Sequence, residues 1–148
     1  MAESQPFLRI GPDPAGSPVI LSVPHAGRGY SEGLLRASRL PRERLEILED
    51  RLVDRLVWRA VANGAAALVA AAPRAEIDLN RDEREIDPNM VAPPLPSRNL
   101  LHSPRTRGGL GLVPSRIAGD GAIWRGRLAG SELARRIGLG RKPALAEP

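Results

Sequence analysis

The apolar positions of this chain follow two periods, and the periods alternate. Val19-Ile20-Leu21-Ser22-Val23 is a short, nearly continuous apolar run between Pro18 and Pro24, the pattern of a strand buried on both faces. Leu45, Leu48, Leu52 and Leu56 then recur at spacings of three and four, with Val53, Val57 and Val61 widening the stripe. That spacing predicts a helix from Pro41 to Asn63. Pro41 suits a first-turn position, Glu43 and Glu46 favour the positive end of the helix dipole, and Asn63-Gly64 supplies the stop. A break near Glu49 would give a short helix followed by a longer one. Ala65–Ala72 is small and apolar and predicts a second buried strand, and Arg74–Leu79 a third extended piece. Phe7–Ile10 reads as a short edge strand in an otherwise irregular lead-in. Strand, helix and strand at this spacing predict the α/β class, with a partial, mainly parallel sheet flanked by helices.

Residues 82–122 change character. Asp87-Pro88, Pro93-Pro94, Pro96, Pro104, Gly108-Gly109, Gly111, Pro114, Gly119 and Gly121 leave little room for regular structure. A Pro/Gly-rich loop region of this length inside a domain is functional or poorly ordered. Gly109–Val113 is the one short strand expected there. Ser131 has the chemistry of an N-cap for a helix from Glu132 to about Ile137. Residues 1–137 therefore read as part of one α/β domain and residues 138–148 as an irregular tail.

Composition narrows the class. A chain of 148 residues with 42% hydrophobic positions can bury one core. Aromatics make up only 3%, so Leu, Val, Ile and Ala must fill it. The absence of cysteine excludes disulfides, thiolate metal sites and a Cys nucleophile, and fits a cytoplasmic location. There is no signal-peptide pattern and no membrane-length apolar run. The net charge of +5 comes from arginines scattered along the chain, with Lys142 the single lysine. No basic stripe is interleaved with aromatics, which argues against a nucleic-acid partner. Arginine instead suits small carboxylates, which its planar fork meets with two hydrogen bonds.

Three stretches carry candidate chemistry. His25 stands in the turn after the first strand, where ligands of open α/β sheets bind; the plainer reading is a ring satisfied by backbone. Asp50 and Asp54 lie four apart and would share a helix face. Asp50 borders the apolar stripe, and a carboxylate there needs a cation or donors. A metal ion shared with His25 would meet that need, since zinc accepts imidazole nitrogen and carboxylate oxygen. Asp78-Leu79-Asn80-Arg81 follows an extended segment to the same sheet edge. Asn80 and Arg81, with Arg74, offer convergent donors to a small carboxylate. Ser22 beside His25 lacks the G-x-S-x-G elbow of a serine hydrolase. His102 reads as incidental. There is no phosphate-binding P-loop and no G-x-G-x-x-G.

At these residues the sequence resembles the N-formylglutamate amidohydrolase family. The matching pieces are Ser22-Val23-Pro24-His25-Ala26-Gly27, Glu49-Asp50 with Val53-Asp54-Arg55-Leu56, and Arg74 through Asp78-Leu79-Asn80-Arg81. Gly109-Leu110-Gly111 with Val113-Pro114, and Ile123-Trp124-Arg125 with Leu128, continue the match in order and spacing. The resemblance spans roughly residues 18–137. It implies a fold related to zinc carboxypeptidases and aspartoacylases, and a zinc-dependent release of formate from an N-acyl amino acid, late in bacterial histidine degradation. By the same resemblance His25 is a metal ligand, Asp50 the second ligand with Glu32 and Glu49 as rivals, and Asn80 and Arg81 the substrate-carboxylate clamp.

Two departures qualify what the resemblance implies. The zinc carboxypeptidases place a glutamate three residues after the histidine, and Arg28 stands here. The family's Asp-Cys-His-Ser segment, which brings the third ligand, and its later acid/base glutamate have no counterpart. The expectation is a truncated or frameshifted member that binds zinc weakly and hydrolyses N-formylglutamate negligibly. A non-catalytic remnant, or a binding module for small carboxylates, would use the same clamp. A partial sheet also leaves an exposed edge through which copies could associate.

Overall fold

The computed structural model describes residues 6–140, with the backbone alone for 139–140. Its elements in chain order are β1 (Phe7–Ile10), β2 (Ile20–Val23), α1 (Glu32–Ala37), α2 (Arg42–Leu45), α3 (Val53–Leu56), α4 (Trp58–Ala62) and β3 (Ala66–Ala70). There follow β4 (Val91–Ala92), α5 (Pro104–Arg107), β5 (Arg116–Ile117), β6 (Gly121–Ala122), β7 (Leu128–Ala129) and α6 (Gly130–Gly140). Among the described residues no helix is long and apolar enough to cross a membrane.

The α/β class expected from the sequence holds. β2 and β3 run parallel, Ile20 opposite Ala66 through Val23 opposite Val69, with helices in the crossover between them. β3 is the middle strand of the order β1-β3-β2, and its Ala66, Ala67, Val69 and Ala70 are buried. The lead-in strand β1 pairs antiparallel to β3, so the sheet is mixed, and it is an edge as expected. The second side of β2 carries no strand among the described residues.

The predicted helix from Pro41 to Asn63 is broken where the sequence allowed a break. After α2 the chain makes one 3-10 turn, Glu46–Leu48, and then Glu49 turns extended at φ −74°, ψ 140°. Leu52 adopts φ 69°, a left-handed conformation rare for Leu. Two tertiary demands override the helical pattern. The Asp50 N–H donates to the His25 carbonyl at 3.0 Å, and the buried Glu49 carboxylate takes the Tyr30 hydroxyl at 2.7 Å. Helix resumes in a new phase. Leu45 and Leu48 stay buried, whereas Leu52 and Leu56 face solvent, and Val53 and Val57 pack on the sheet with Val23, Ala26 and Val69. Asp50 therefore lies outside any helix, and the shared helix face with Asp54 does not form.

Two predicted extended pieces are not strands. Residues 74–79 form a helical turn instead, Pro73 O accepting from Glu76 N at 2.9 Å and from Ile77 N at 3.3 Å. A strand would hold Arg74 and Asp78 about 13 Å apart; the turn brings them into contact. Gly109–Val113 is irregular, because its polar groups serve three other segments. Asp78 N donates to Leu112 O, Leu112 N to Glu85 O, and Ser115 N to Gly109 O.

The Pro/Gly-rich region is ordered and, together with residues 123–128 just after it, supplies most of the main core. Ile86, Met90, Val91, Leu112, Val113, Ile123, Trp124 and Leu128 pack there with Leu34, Leu45, Ile77 and Leu133. Short β4–β7 and β5–β6 pairs stitch it together. α6 begins before Ser131 and runs through Gly140, beyond the Ile137 expected; residues 141–148 of the predicted tail lie outside the described residues. Arg136 of α6 is fully buried, with its guanidinium 4.3 Å from the centre of the Trp124 ring. It donates to Glu76 at 3.1 Å and lies 2.7 Å from Glu132, the latter a charge contact off the hydrogen-bonding line. Burial pushes the Glu76 carboxyl up, against the pull of Arg136 and Arg135. This ion cluster fastens α6 to the 73–78 turn.

Two glycine substitutions test this packing. A Cβ on Gly27 would strike the carbonyls of Ala72 and, at 2.9 Å, of Ala70, both backbone that cannot yield. G27A is expected to lower unfolding free energy by about 2–3 kcal/mol. Gly33 in α1 has only Ser31 Oγ near, at 3.9 Å, so G33A should raise it by about 0.5–1 kcal/mol. Urea denaturation of both variants against the parent checks the pair of signs.

Candidate functional site

Three turns converge at the carboxyl ends of β2 and β3. β2 ends at Val23, and the turn at Pro24-His25 aims a buried imidazole away from the sheet. The broken helix brings in Asp50. The helical turn after β3 brings in Asp78, whose carboxylate is fully enclosed. The structure thus gathers His25, Asp50, Arg74, Asn80 and Arg81 around one residue, Asp78, to which the sequence reading assigned no role.

Asp78 is saturated with donors. Its Oδ1 faces His25 Nε2 at 2.6 Å and accepts the Asn80 N–H at 3.0 Å. Its Oδ2 accepts Arg74 Nε at 2.9 Å, with Arg81 Nε at 3.6 Å. Burial alone would raise the carboxyl, but His25, the Asn80 N–H and the Arg74 charge together outweigh it and hold it down at about 2. Asp78 is therefore a fixed anion. Its signal in the sequence was the i,i+4 spacing from Arg74 between buried Ala75 and Ile77, which is legible only if the segment is read as a turn.

His25 lies between two carboxylates. Nδ1 is 3.0 Å from Asp50 Oδ2, on the open side, where the Asp50 side chain is 51% exposed. A neutral imidazole carries one N–H. If Asp78 takes it, Nδ1 and Asp50 Oδ2 present two lone pairs to one another, and a cation is required between them. A second proton meets that need, and so does a metal ion. Tetrahedral zinc with bonds near 2.0–2.1 Å sets neighbouring ligand atoms about 3.3 Å apart, close to the separation here. His25 and Asp50 fit two positions of such a shell. Among the described residues no group of three or more His, Cys, Asp or Glu is placed to hold a metal.

The rival acids are engaged elsewhere. Glu32 is exposed and pairs with Arg36 at 3.0 Å. Glu49 is enclosed by Tyr30 and by Arg51 at 3.3 Å, with Arg28 at 3.8 Å. Burial first, then the Glu49 charge and hydrogen bond, raise the Tyr30 hydroxyl well above its ordinary value. Asp54 reaches Arg28 at 3.4 Å.

The donors of the candidate clamp are half committed. Arg81 gives Nε to Leu110 O at 3.2 Å and Nη1 to Asn80 O at 2.6 Å. Arg74 Nη1 and Nη2, Arg81 Nη2 and the Asn80 side-chain amide carry no hydrogen bond among the described residues. The committed nitrogens fix the two guanidiniums in place.

A family model described as N-formylglutamate amidohydrolase matches residues 17–139. The crystal structure of N-formylglutamate amidohydrolase from Ralstonia eutropha JMP134 superposes with a TM-score of 0.82 at 32% sequence identity. The superposition covers 91% of this chain and 47% of that one, so this chain spans about half the length of that relative. No curated protein matches the chain significantly.

Asp78 gives two tests. In D78N the amide must turn its NH2 toward either the Asn80 N–H or Arg74 Nε, donor against donor. The expected loss is about 3 kcal/mol of stability, read by urea denaturation. The second test is acid titration of the parent. The folded-state value lies below the unfolded one, so the unfolded chain takes up the proton first as pH falls. Stabilisation from this group is complete above about pH 4 and drains away toward pH 2, on the order of 2 kcal/mol. Denaturation at stepped pH should show that loss in the parent and its absence in D78N.

Proposed function

This chain belongs to the N-formylglutamate amidohydrolase family, and from that premise we propose that it carries the metal-binding and carboxylate-binding part of a metal-dependent deformylase site. The observation that carries this reading is His25, held by buried Asp78 at one nitrogen and facing Asp50 across a gap of ligand-to-ligand width at the other. His25 and Asp50 would hold the metal, zinc by the chemistry of the pair. Bound zinc would supply Lewis acidity toward the formyl carbonyl and a water acidified to a pKa of about 7.

The rest of the work falls to the chain's own residues. Asp78 keeps the proton on Nε2, so that Nδ1 presents its lone pair, and makes the imidazole a stronger donor. Arg74, Asn80 and Arg81 receive a carboxylate of the N-acyl amino acid through the nitrogens they have free. Two guanidiniums sharing one buried carboxylate keep a positive field at the clamp, which favours the dianionic substrate over neutral amides. The substrate in this proposal is N-formylglutamate, the one in the name of the family and of the Ralstonia protein.

The chain as it stands is proposed to bind zinc weakly and to turn over slowly. Two ligands leave half of a tetrahedral shell to water, and no third is placed among the described residues. A clamp that binds small carboxylates without turnover is the second reading, and it rests on the same free nitrogens.

Zinc titration with a competing chromophoric chelator, together with formate release from N-formylglutamate, tests the proposal. One weak zinc site is expected, abolished in H25A, weakened in D50A, weakened about 10–100-fold in D78N, and unchanged in E32Q. Formate release should stay near background. Zinc binding indifferent to H25A, or formate release at about 1–1,000 per second, the usual enzymatic range, would contradict it.

A further inference from the structure

A cavity lies against the end of the 110–116 segment, with Ser115 and Arg116 in its lining. It encloses about 670 Å³, within the size range of small-molecule sites. Its apolar floor is Met90 and Trp124, both buried. Arg107, Arg116 and Arg127 stand around its rim, and none of the three is in a salt bridge among the described residues. Two are held in place by backbone: Arg107 Nη1 donates to His102 O at 2.9 Å, and Arg116 Nη2 to Arg107 O at 2.6 Å. The one carboxylate in the lining, Asp87, is already occupied. Its Oδ1 accepts the Asn89 N–H at 3.0 Å and its Oδ2 the Ser115 hydroxyl at 3.1 Å.

Three positive charges, two of them held by backbone carbonyls, against one satisfied negative charge make a cavity with a positive field and spare N–H donors. A single inorganic anion would fill a small part of it and leave the apolar floor wet. We propose that this cavity binds a small organic dianion of the dicarboxylate class, its two carboxylates on the arginines and its carbon chain over Trp124 and Met90. The site is separate from the His25 site and does not depend on metal. The two share one wall: Leu112 O holds the Asp78 N–H, Pro114 O accepts the Trp124 indole N–H at 2.9 Å, and Arg116 ends the segment in the cavity.

Glutarate is the probe, with neutral glutaramide and inorganic phosphate as controls, titrated into the full chain by calorimetry and by NMR of the two indole N–H signals. The Trp124 signal should shift on glutarate addition while that of exposed Trp58 stays put. Affinity should fall about tenfold in each of R107Q, R116Q and R127Q and persist in R81Q, which changes the clamp beside His25 and no residue lining the cavity. Glutarate should bind at least tenfold more tightly than phosphate, and glutaramide not measurably. Glutarate binding that vanishes in R81Q but survives the three cavity variants would overturn the proposal. So would equal affinity for phosphate, or a silent Trp124 signal at saturation, which needs no variant to fold.

Discussion

One buried carboxylate organises this structure. Asp78 has no solvent to share its charge, so its placement is permitted only because four donors from three segments arrive together. Those donors are the His25 ring, the Asn80 backbone, Arg74 and, at longer range, Arg81. Each is fixed in turn by the anion it satisfies. The imidazole cannot rotate without stripping Nε2 from Asp78, and neither guanidinium can leave without exposing a buried charge. The same interaction orients the open face of His25 toward Asp50 and sets two arginines around the space beside it. Binding geometry here is a consequence of charge burial.

The elements with a clear period were legible in the sequence. β2 and β3 are short apolar runs between breakers, and their parallel pairing followed from the helical stretch between them. What escaped was decided by contacts distant along the chain. Nothing in Leu45-Glu46-Ile47-Leu48-Glu49-Asp50 announces that Asp50 will give its N–H to His25, although that bond and the burial of Glu49 break the helix. Arg74–Leu79 alternates plausibly as a strand, and only the demand of Asp78 for the Arg74 guanidinium distinguishes a turn. The Pro/Gly-rich region offered no period at all, yet Ile86, Val91, Leu112 and Val113 enter the main core, because irregular backbone can be buried once its polar groups bond across segments. The candidate residues His25, Asp50, Arg74, Asn80 and Arg81 do meet. The residue that unites them was visible in the string and silent in it.

The fold also explains how His25 can be held firmly at one nitrogen while the other lies on the open side. Everything that fixes His25 comes from residues 24–112, a span within the stretch 17–139 that the family model matches. The Arg136–Glu76 cluster extends this support outward, tying α6 to the turn that carries Arg74 and Asp78. Rigidity is thus built from inside the chain. Nδ1 of His25 faces outward, on the side where Asp50 is exposed.

The most direct measurement is nitrogen-15 NMR of the His25 ring with and without zinc. With Asp78 holding the Nε2 proton, zinc should shift Nδ1 strongly while the Nε2–H signal persists. A zinc-induced shift at Nε2 with loss of that proton, or no change at either nitrogen at zinc saturation, would contradict the arrangement around Asp78.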